Sequence, residues 1–338
     1  MLVRRRGAIA LLALSCAACS VDTSGTKPVD GAAPRDGGAV SDGGGRDAFG
    51  GDDSGGRRDG GEPDFRDLDW TAPVQVLETA DALRCETDAV LTSDMRWLFL
   101  SRPQLTTGSC LLSRRFHVFE WLDGHPVWRA ELPPFDPTVM EEGNPHPLDG
   151  RYAGMPGWML FFHSATFVDG NVDLRWATFI DGDPPMPSGG LSSSSLNTGA
   201  IEDMPALSLR GDRLVFSRAA TPVAEDIWEA YGTPPNLWGV VRRLDAVSTT
   251  DARDIDPALS PDGRVLVFER ILNGMSDGDL FVARRVELTE PFSEPSPLDL
   301  VNTAETESDP FIAANGDLLF SRWIGGRARV FIARAAAR

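Results

Sequence analysis

The sequence predicts an all-β fold, a five-bladed β-propeller of four-stranded antiparallel blades behind a disordered N-terminal tether. Three observations carry that expectation. Gly 34 and Pro 25 in 338 residues make about one residue in six a turn former, too many for a helical bundle. A motif returns five times at a near-constant period. Between copies, short apolar runs alternate with turn residues, and no long amphipathic helix pattern intervenes. Six blades is the runner-up, with a degenerate blade hidden between residues 123 and 200.

The first 19 residues read as a lipoprotein signal peptide. Arg4, Arg5 and Arg6 form a charged start, and the apolar run beginning at Gly7 is too short to span a bilayer. The run ends in Leu14-Ser15-Cys16-Ala17-Ala18-Cys19. Small residues before a cysteine resemble the lipobox of bacterial lipoproteins, which implies a diacylated N-terminal cysteine. Cys19 and Cys16 are both candidates, Cys19 having the longer apolar run. Plain cleavage without a lipid is the alternative. By the same resemblance, Ser20 after Cys19 implies outer-membrane retention, facing the periplasm or the cell surface.

Residues 20–66 form the expected linker. Positions 21–66 hold 13 Gly and 9 Asp with few large apolar side chains, and cannot bury enough surface to offset chain entropy. Asp-Gly alternation occurs in calcium loops, but the fixed period and the wall-forming apolar residue are missing. The folded domain is expected over 67–338. Cys85 and Cys110 are a candidate disulfide, worth about 3 kcal/mol in the chain-entropy picture. Two separate buried thiols are the alternative.

The repeat is clearest at Asp256-Pro257-Ala258-Leu259-Ser260-Pro261-Asp262-Gly263, followed by Val265 to Arg270. Aligning Asp88, His146, Asp203, Asp256 and Asp309 gives spacings of 58, 57, 53 and 53. Each copy has a short first strand, a turn of Asp-Gly or Asn-Gly type that accepts positive φ, and a second strand ending in Phe-Ser-Arg or a relative. Third strands are expected at Phe116–Leu122, Asp173–Ile180, Asn236–Arg243, Asp279–Arg285 and Arg329–Arg334. A more polar fourth strand follows. Units that cannot bury both faces alone should stack radially. The last copy stops after its third strand, so Trp70 to Leu77 should return to complete it and seal the ring.

Ser260-Pro261-Asp262-Gly263 with its apolar second strand resembles the WD40-like PD40 repeat of TolB-type propellers, over roughly residues 70–338. The resemblance implies a propeller, while lipid cysteine, tether and folded domain in succession resemble the layout of a bacterial surface or periplasmic lipoprotein. The tether stands where TolB itself carries an additional α/β domain.

Candidate site residues follow from the ring. Asp88, Asp203, Asp256 and Asp309 should sit near the axis, either capping entry turns or forming a ligand-binding carboxylate ring. His146 replaces Asp in its copy and is a ligand-binding candidate for that reason. Arg102, Arg218, Arg270 and Arg322 recur at the end of the second strand, as expected of a structural ion pair with the axial carboxylates. Residues 219–235 read as an inserted loop that presents Trp228 and Tyr231 for stacking. Asp277-Gly278-Asp279 reads as a hairpin turn. The four His show no metal-ligand spacing, and no H-E-x-x-H, G-x-S-x-G or phosphate loop occurs. No catalytic residue, cofactor or metal is expected.

A net charge of −18 argues against nucleic acid and anionic membrane surfaces as partners. The expected function is a non-enzymatic scaffold for an envelope protein or glycan, attached to the membrane only through its lipid. The alternative is a glycoside hydrolase of the five-bladed type acting on an envelope or extracellular polysaccharide. That enzyme would need carboxylates in unlike sequence contexts converging on the axis.

Overall fold

The computed structural model describes residues 65–76, 85–103, 114–135, 139–150, 157–166, 172–180, 182–187, 192–219 and 225–337. All of them belong to the compact unit Gly60–Arg338. Cys16, Cys19, Cys110 and the linker up to residue 64 lie outside the described residues. Cys85 is disulfide-bonded.

A 3-10 turn, Phe65–Asp67, leads into β1 (Leu68–Trp70) and β2 (Val74–Gln75). Blade 1 is β3 (Thr87–Leu91), β4 (Trp97–Pro103), β5 (Arg114–Leu122) and β6 (His125–Glu131). Blade 2 is β7 (Val139–Asp149), β8 (Trp158–Thr166) and β9 (Val172–Ile180), with β10 (Met186–Pro187) and β11 (Ser192–Ser193) both pairing with β9. Blade 3 is β12 (Ile201–Leu207), β13 (Arg213–Ala219), β14 (Glu225–Thr233) and β15 (Leu237–Arg243). Blade 4 is β16 (Ala252–Leu259), β17 (Val265–Leu272), β18 (Gly278–Arg284) and β19 (Ser296–Pro297). Blade 5 is β20 (Thr306–Ile312), β21 (Leu318–Ile324) and β22 (Arg327–Ala333), and β2 pairs with β22 as its outermost strand. The first strand of each blade packs on that of the next, and β20 returns to β3. The ring therefore closes at five.

Closure uses the stretch the sequence pointed to, with Val74 opposite Ile332 and Gln75 opposite Phe331. A second clasp was not anticipated: β1 pairs with β23 (Ala335–Ala337). The Trp70 indole N–H donates to the Gly316 carbonyl at 2.9 Å. Phe65 is buried in the same cluster. The folded chain therefore includes Phe65, two residues ahead of the boundary expected at 67.

The core lies between blades. Phe161 and Phe216 pack at the boundary of blades 2 and 3, Phe268 and Val215 at that of 3 and 4, and Phe320 and Val267 at that of 4 and 5. Each such Phe contributes about 1.5–3 kcal/mol. The hairpins obey the expected chemistry. In blade 4 the Ser260 hydroxyl donates to Asp262 at 2.6 Å, and Gly263 takes φ 75° to turn the chain. That conformation is nearly free for glycine.

Candidate functional site

Every inner strand breaks register near its middle. The slips fall at Thr87/Val90, Gly143/His146, Asp203/Ala206, Ile255/Ala258 and Ser308/Phe311. One residue in each bulge takes a positive φ: Asp88 57°, Asn144 49°, Met204 54°, Asp256 50° and Asp309 50°. Asp and Asn adopt this left-handed conformation at lower cost than other side-chain-bearing residues. The recurring aspartate is thus explained first by backbone geometry.

This corrects two assignments. The axial residue of blade 2 is Asn144, and His146 lies two positions beyond it. The axial residue of blade 3 is Met204, and Asp203 lies one position before it. A bulge shifts the pairing by one residue, which an alignment of similar letters cannot show.

Asp88, Asn144, Met204, Asp256 and Asp309 line one end of the axial channel, a cavity of about 30 Å³. The other end, toward the hairpins, is lined by apolar groups such as Leu91, Leu148, Leu207 and Leu259. His146 and Phe311 line both, with ring centroids 5.5 Å apart. They divide the channel into an acidic half and an apolar half. The Leu207 backbone N–H donates to His146 Nε2 at 3.3 Å. Burial, partly offset by that bond, pulls the imidazole down to about 3, so it is neutral. His146 bridges blades 2 and 3 as an acceptor.

The acidic half holds residues that depart from the repeat. The position before the recurring arginine is Ser101, Ser217 and Ser321 in three blades, but His163 in blade 2 and Glu269 in blade 4, as the strand registers show. Two glycines make room for them. A Cβ on Gly143 would meet His163 at 2.8 Å and Arg114 at 2.9 Å, and one on Gly278 would overlap the Glu269 carboxyl. Gly278 opens β18 and is not the hairpin turn expected there.

These side chains form a titratable network. Arg114 donates to Asp88 at 3.0 Å and also pairs with Glu141. The Asn144 backbone N–H donates to Asp88 at 3.1 Å, and its side-chain amide to Asp256 at 3.3 Å. Glu141 stands 3.7 Å from His163 Nε2. Arg253 pairs with Glu225. Burial would raise the Asp88 carboxyl, but Arg114 and hydrogen bonds outweigh it and hold it below its ordinary value. Burial likewise opposes ionisation of Glu141, yet Arg114 and His163 bring it to about 2. Burial raises Glu269 to about 8 despite a bond from Asp256, and raises Asp203 to about 8 against the pull of His163. Burial, then Glu269, lifts Asp256 well above the usual range, and burial, then Asp88, does so for Asp309. The ionised carboxyls, Asp88 and Glu141, therefore sit on blades 1 and 2, and the protonated ones on blades 3, 4 and 5.

The recurring arginines do form ion pairs, but not with the axial aspartates. Arg102 pairs with Glu86, Arg218 with Glu202 at 2.9 Å, Arg270 with Asp254 at 2.6 Å and Arg322 with Glu307 at 2.6 Å. Three of them also donate to carbonyls of the preceding connection, at Leu196, Val247 and Val301.

Residues 225–233 are not an inserted loop. They form β14, the third strand of blade 3, and Leu237–Arg243 is its fourth. Trp228 lies half-buried on β14 beneath the Arg218 guanidinium, 4.7 Å from the ring centre. The Tyr231 hydroxyl donates to Glu229. Neither lines the axial cavity. Arg114, Glu141, His163, Arg253 and Glu269 were not singled out from sequence, and Glu225 was placed on the inserted loop. The signal was present in Phe268-Glu269-Arg270 and Phe162-His163-Ser164, which break the Phe-Ser-Arg ending. Among the described residues, no group of three or more His, Cys, Asp or Glu is arranged to hold a metal ion.

No family model and no curated protein sequence matches the chain. Solved propeller structures do. The GH43_1 enzyme from Xanthomonas citri, complexed with xylotriose, aligns at 11% identity and TM-score 0.54, covering 79% of this chain and 91% of that one. The arabinanase Arb43A from Bacillus subtilis aligns at 13% and 0.52, covering 73% and 93%. TolB from Acinetobacter baumannii aligns at 13% and 0.40, covering 74% and 54%. At these identities the first two likenesses show a shared propeller fold.

Proposed function

We propose that the protein is a non-enzymatic binding scaffold of the cell envelope, engaging a partner protein or glycan at the acidic end of its axis. The observation that carries this reading is the size and charge of the opening. A cavity of about 30 Å³ admits a water or the tip of one functional group, whereas whole-ligand pockets run to several hundred Å³. Around it stand the ionised Asp88 and Glu141 with Arg114, and the raised carboxyls Asp203, Asp256, Glu269 and Asp309. An ammonium or guanidinium from a partner would draw protons off the raised group and pair with the carboxylates so formed. Asn144, Met204 and Asp309 are half-buried and form the accessible rim.

A second reading is a glycoside hydrolase. It is favoured by carboxyls in unlike contexts held in opposite protonation states, Asp88 below and Glu269 above the ordinary range, the pattern of an acid and base pair. Combined peptide and glycan arrays, probed with labelled protein and with Asp309→Asn, separate the two. The scaffold reading expects retained probes lost in the variant, and no new reducing ends from arabinan or xylan. Sugar release abolished by Glu269→Gln would replace it with the hydrolase.

Attachment belongs to the same proposal. Two acyl chains on an N-terminal cysteine suffice for stable anchoring. Cys19→Ala should move the protein from the membrane to the soluble fraction, and release by Cys16→Ala would shift the modified residue. Unchanged fractionation of both single variants and of the double would leave an ordinary cleaved leader.

A further inference from the structure

At the hairpin end of the boundary between blades 3 and 4, three arginines converge on one carboxylate. Glu229 and Arg285 have no exposed side-chain surface and lie 2.8 Å apart. Arg242 reaches Glu229 at 3.1 Å and the Tyr231 hydroxyl at 2.6 Å. Arg213 stands 3.6 Å from Glu229. The guanidiniums of Arg213 and Arg242 both lie over the Tyr231 ring, at 4.4 and 5.4 Å from its centre. Neighbouring acids are engaged elsewhere: Asp212 accepts from Ser208 at 2.8 Å, and Asp262 and Glu287 pair with Arg264.

The contact group therefore carries three positive charges against one negative, in a protein of net charge −18. Donors are also left over. Arg285 gives Nε and Nη2 to the Gly263 carbonyl, and Arg213 gives Nη1 to the Leu288 carbonyl. Arg285 Nη1, Arg213 Nε and Arg242 Nε are buried with no acceptor. Buried charged donors without acceptors are costly, and an oxyanion satisfies charge and hydrogen bonds together. The Arg242 side chain is 41% exposed, which gives a ligand its approach.

We propose that Arg213, Arg242 and Arg285 form an anion-binding site for a small phosphate monoester, whose double negative charge matches the uncompensated charge of the group. The site lies at the opposite end of the blades from the acidic opening and does not depend on its function. Planar guanidinium forks recognise phosphate oxygens two at a time.

Titration calorimetry of the full chain with glycerol 3-phosphate and with inorganic phosphate, at constant ionic strength, tests the site. The expected result is saturable binding, weakened at least tenfold by Arg242→Gln and unchanged by Arg96→Gln on blade 1. Circular dichroism establishes that each variant is folded. If Arg242→Gln does not fold, Arg242→Lys decides, because it keeps the charge and loses the fork: weaker binding supports the site. No saturable heat with the wild type, or equal affinity in the folded Arg242 variant, overturns the proposal. So does binding only to vesicles containing phosphatidic acid, which assigns the patch to a membrane surface instead.

Discussion

Glu269 and Asp88 belong to one carboxylate cluster and hold opposite protonation states at neutral pH, for reasons visible in their partners. Asp88 has Arg114 and a backbone N–H to outweigh its burial, while Glu269 is raised by burial against a weaker opposing bond from Asp256. This sets a pH dependence with a definite sign. Glu269 titrates at about 8 when folded against a reference value of 4.5. The folded state therefore keeps a proton that the unfolded state releases, and this stabilisation is lost as pH rises toward 8. Glutamine imitates the protonated acid at every pH. Glu269→Gln should lose less stability than the wild type between pH 5 and 8.5, by a few kcal/mol at most, in urea titrations across that range. Asp203, Asp256 and Asp309 shift the same way, so the slope should flatten without vanishing. Identical slopes for variant and wild type would sink the assignment.

The blade itself is held by a repeated clamp. An acid on the first strand, an arginine on the second and a carbonyl from the preceding connection meet in blades 3, 4 and 5. The only lysine of the chain is Lys27, so every Lys or Arg cation of the propeller is an arginine. A guanidinium can serve a carboxylate and a carbonyl at once, and stack on an aromatic ring. Arg322 does all three, bonding Glu307 and the Val301 carbonyl and lying 4.5 Å from the centre of the Phe331 ring. Glu307 is fully buried. Arg322→Ala should therefore cost about 3–5 kcal/mol, because it strands a buried charge. Arg96→Ala, which removes loose ion pairs at 3.8 and 3.9 Å and a half-exposed guanidinium lying 4.7 Å from the centre of the Trp97 ring, should cost about 1 kcal/mol or less. Urea unfolding of the two variants compares them directly, and equal losses would contradict the clamp.

At the scale of the whole molecule, the chain ends hold the ring shut through two separate pairings, β2 on β22 and β1 on β23. Removing everything through Val76 takes away both, exposes the edge of blade 5 and uncovers the pocket filled by Trp70 and Phe65. The unfolding temperature should fall on the order of 10 °C. A chain starting at Gly60 should stay within a few degrees of the full protein, since Phe65 is the first described buried residue. Calorimetric scans of both chains check this, and a closure-deleted chain as stable as the full one would refute the clasp.

Five blades, their hairpins and the closing strand could be read from the sequence because each depends on local chemistry. Ser260-Pro261-Asp262-Gly263 turns wherever it stands, and a last repeat lacking a fourth strand demands one from elsewhere. Blade 3 was misread because burial and apolarity part company there: Glu225 and Glu229 are buried on β14, whereas Leu237 and Val240 on β15 are exposed. A carboxylate paired across a blade boundary looks like a loop residue until its arginine is in place. The site depended still more on tertiary structure. Which residue of each repeat faces the axis is set by a bulge, and a slip of one position exchanges the faces of a strand, so Met204 takes the place that Asp203 was expected to hold. The raised carboxyls likewise arise from side chains on different blades, brought out of water together by ring closure. The order of letters determined the repeat and its turns, while packing around the axis decided which of its charges meet.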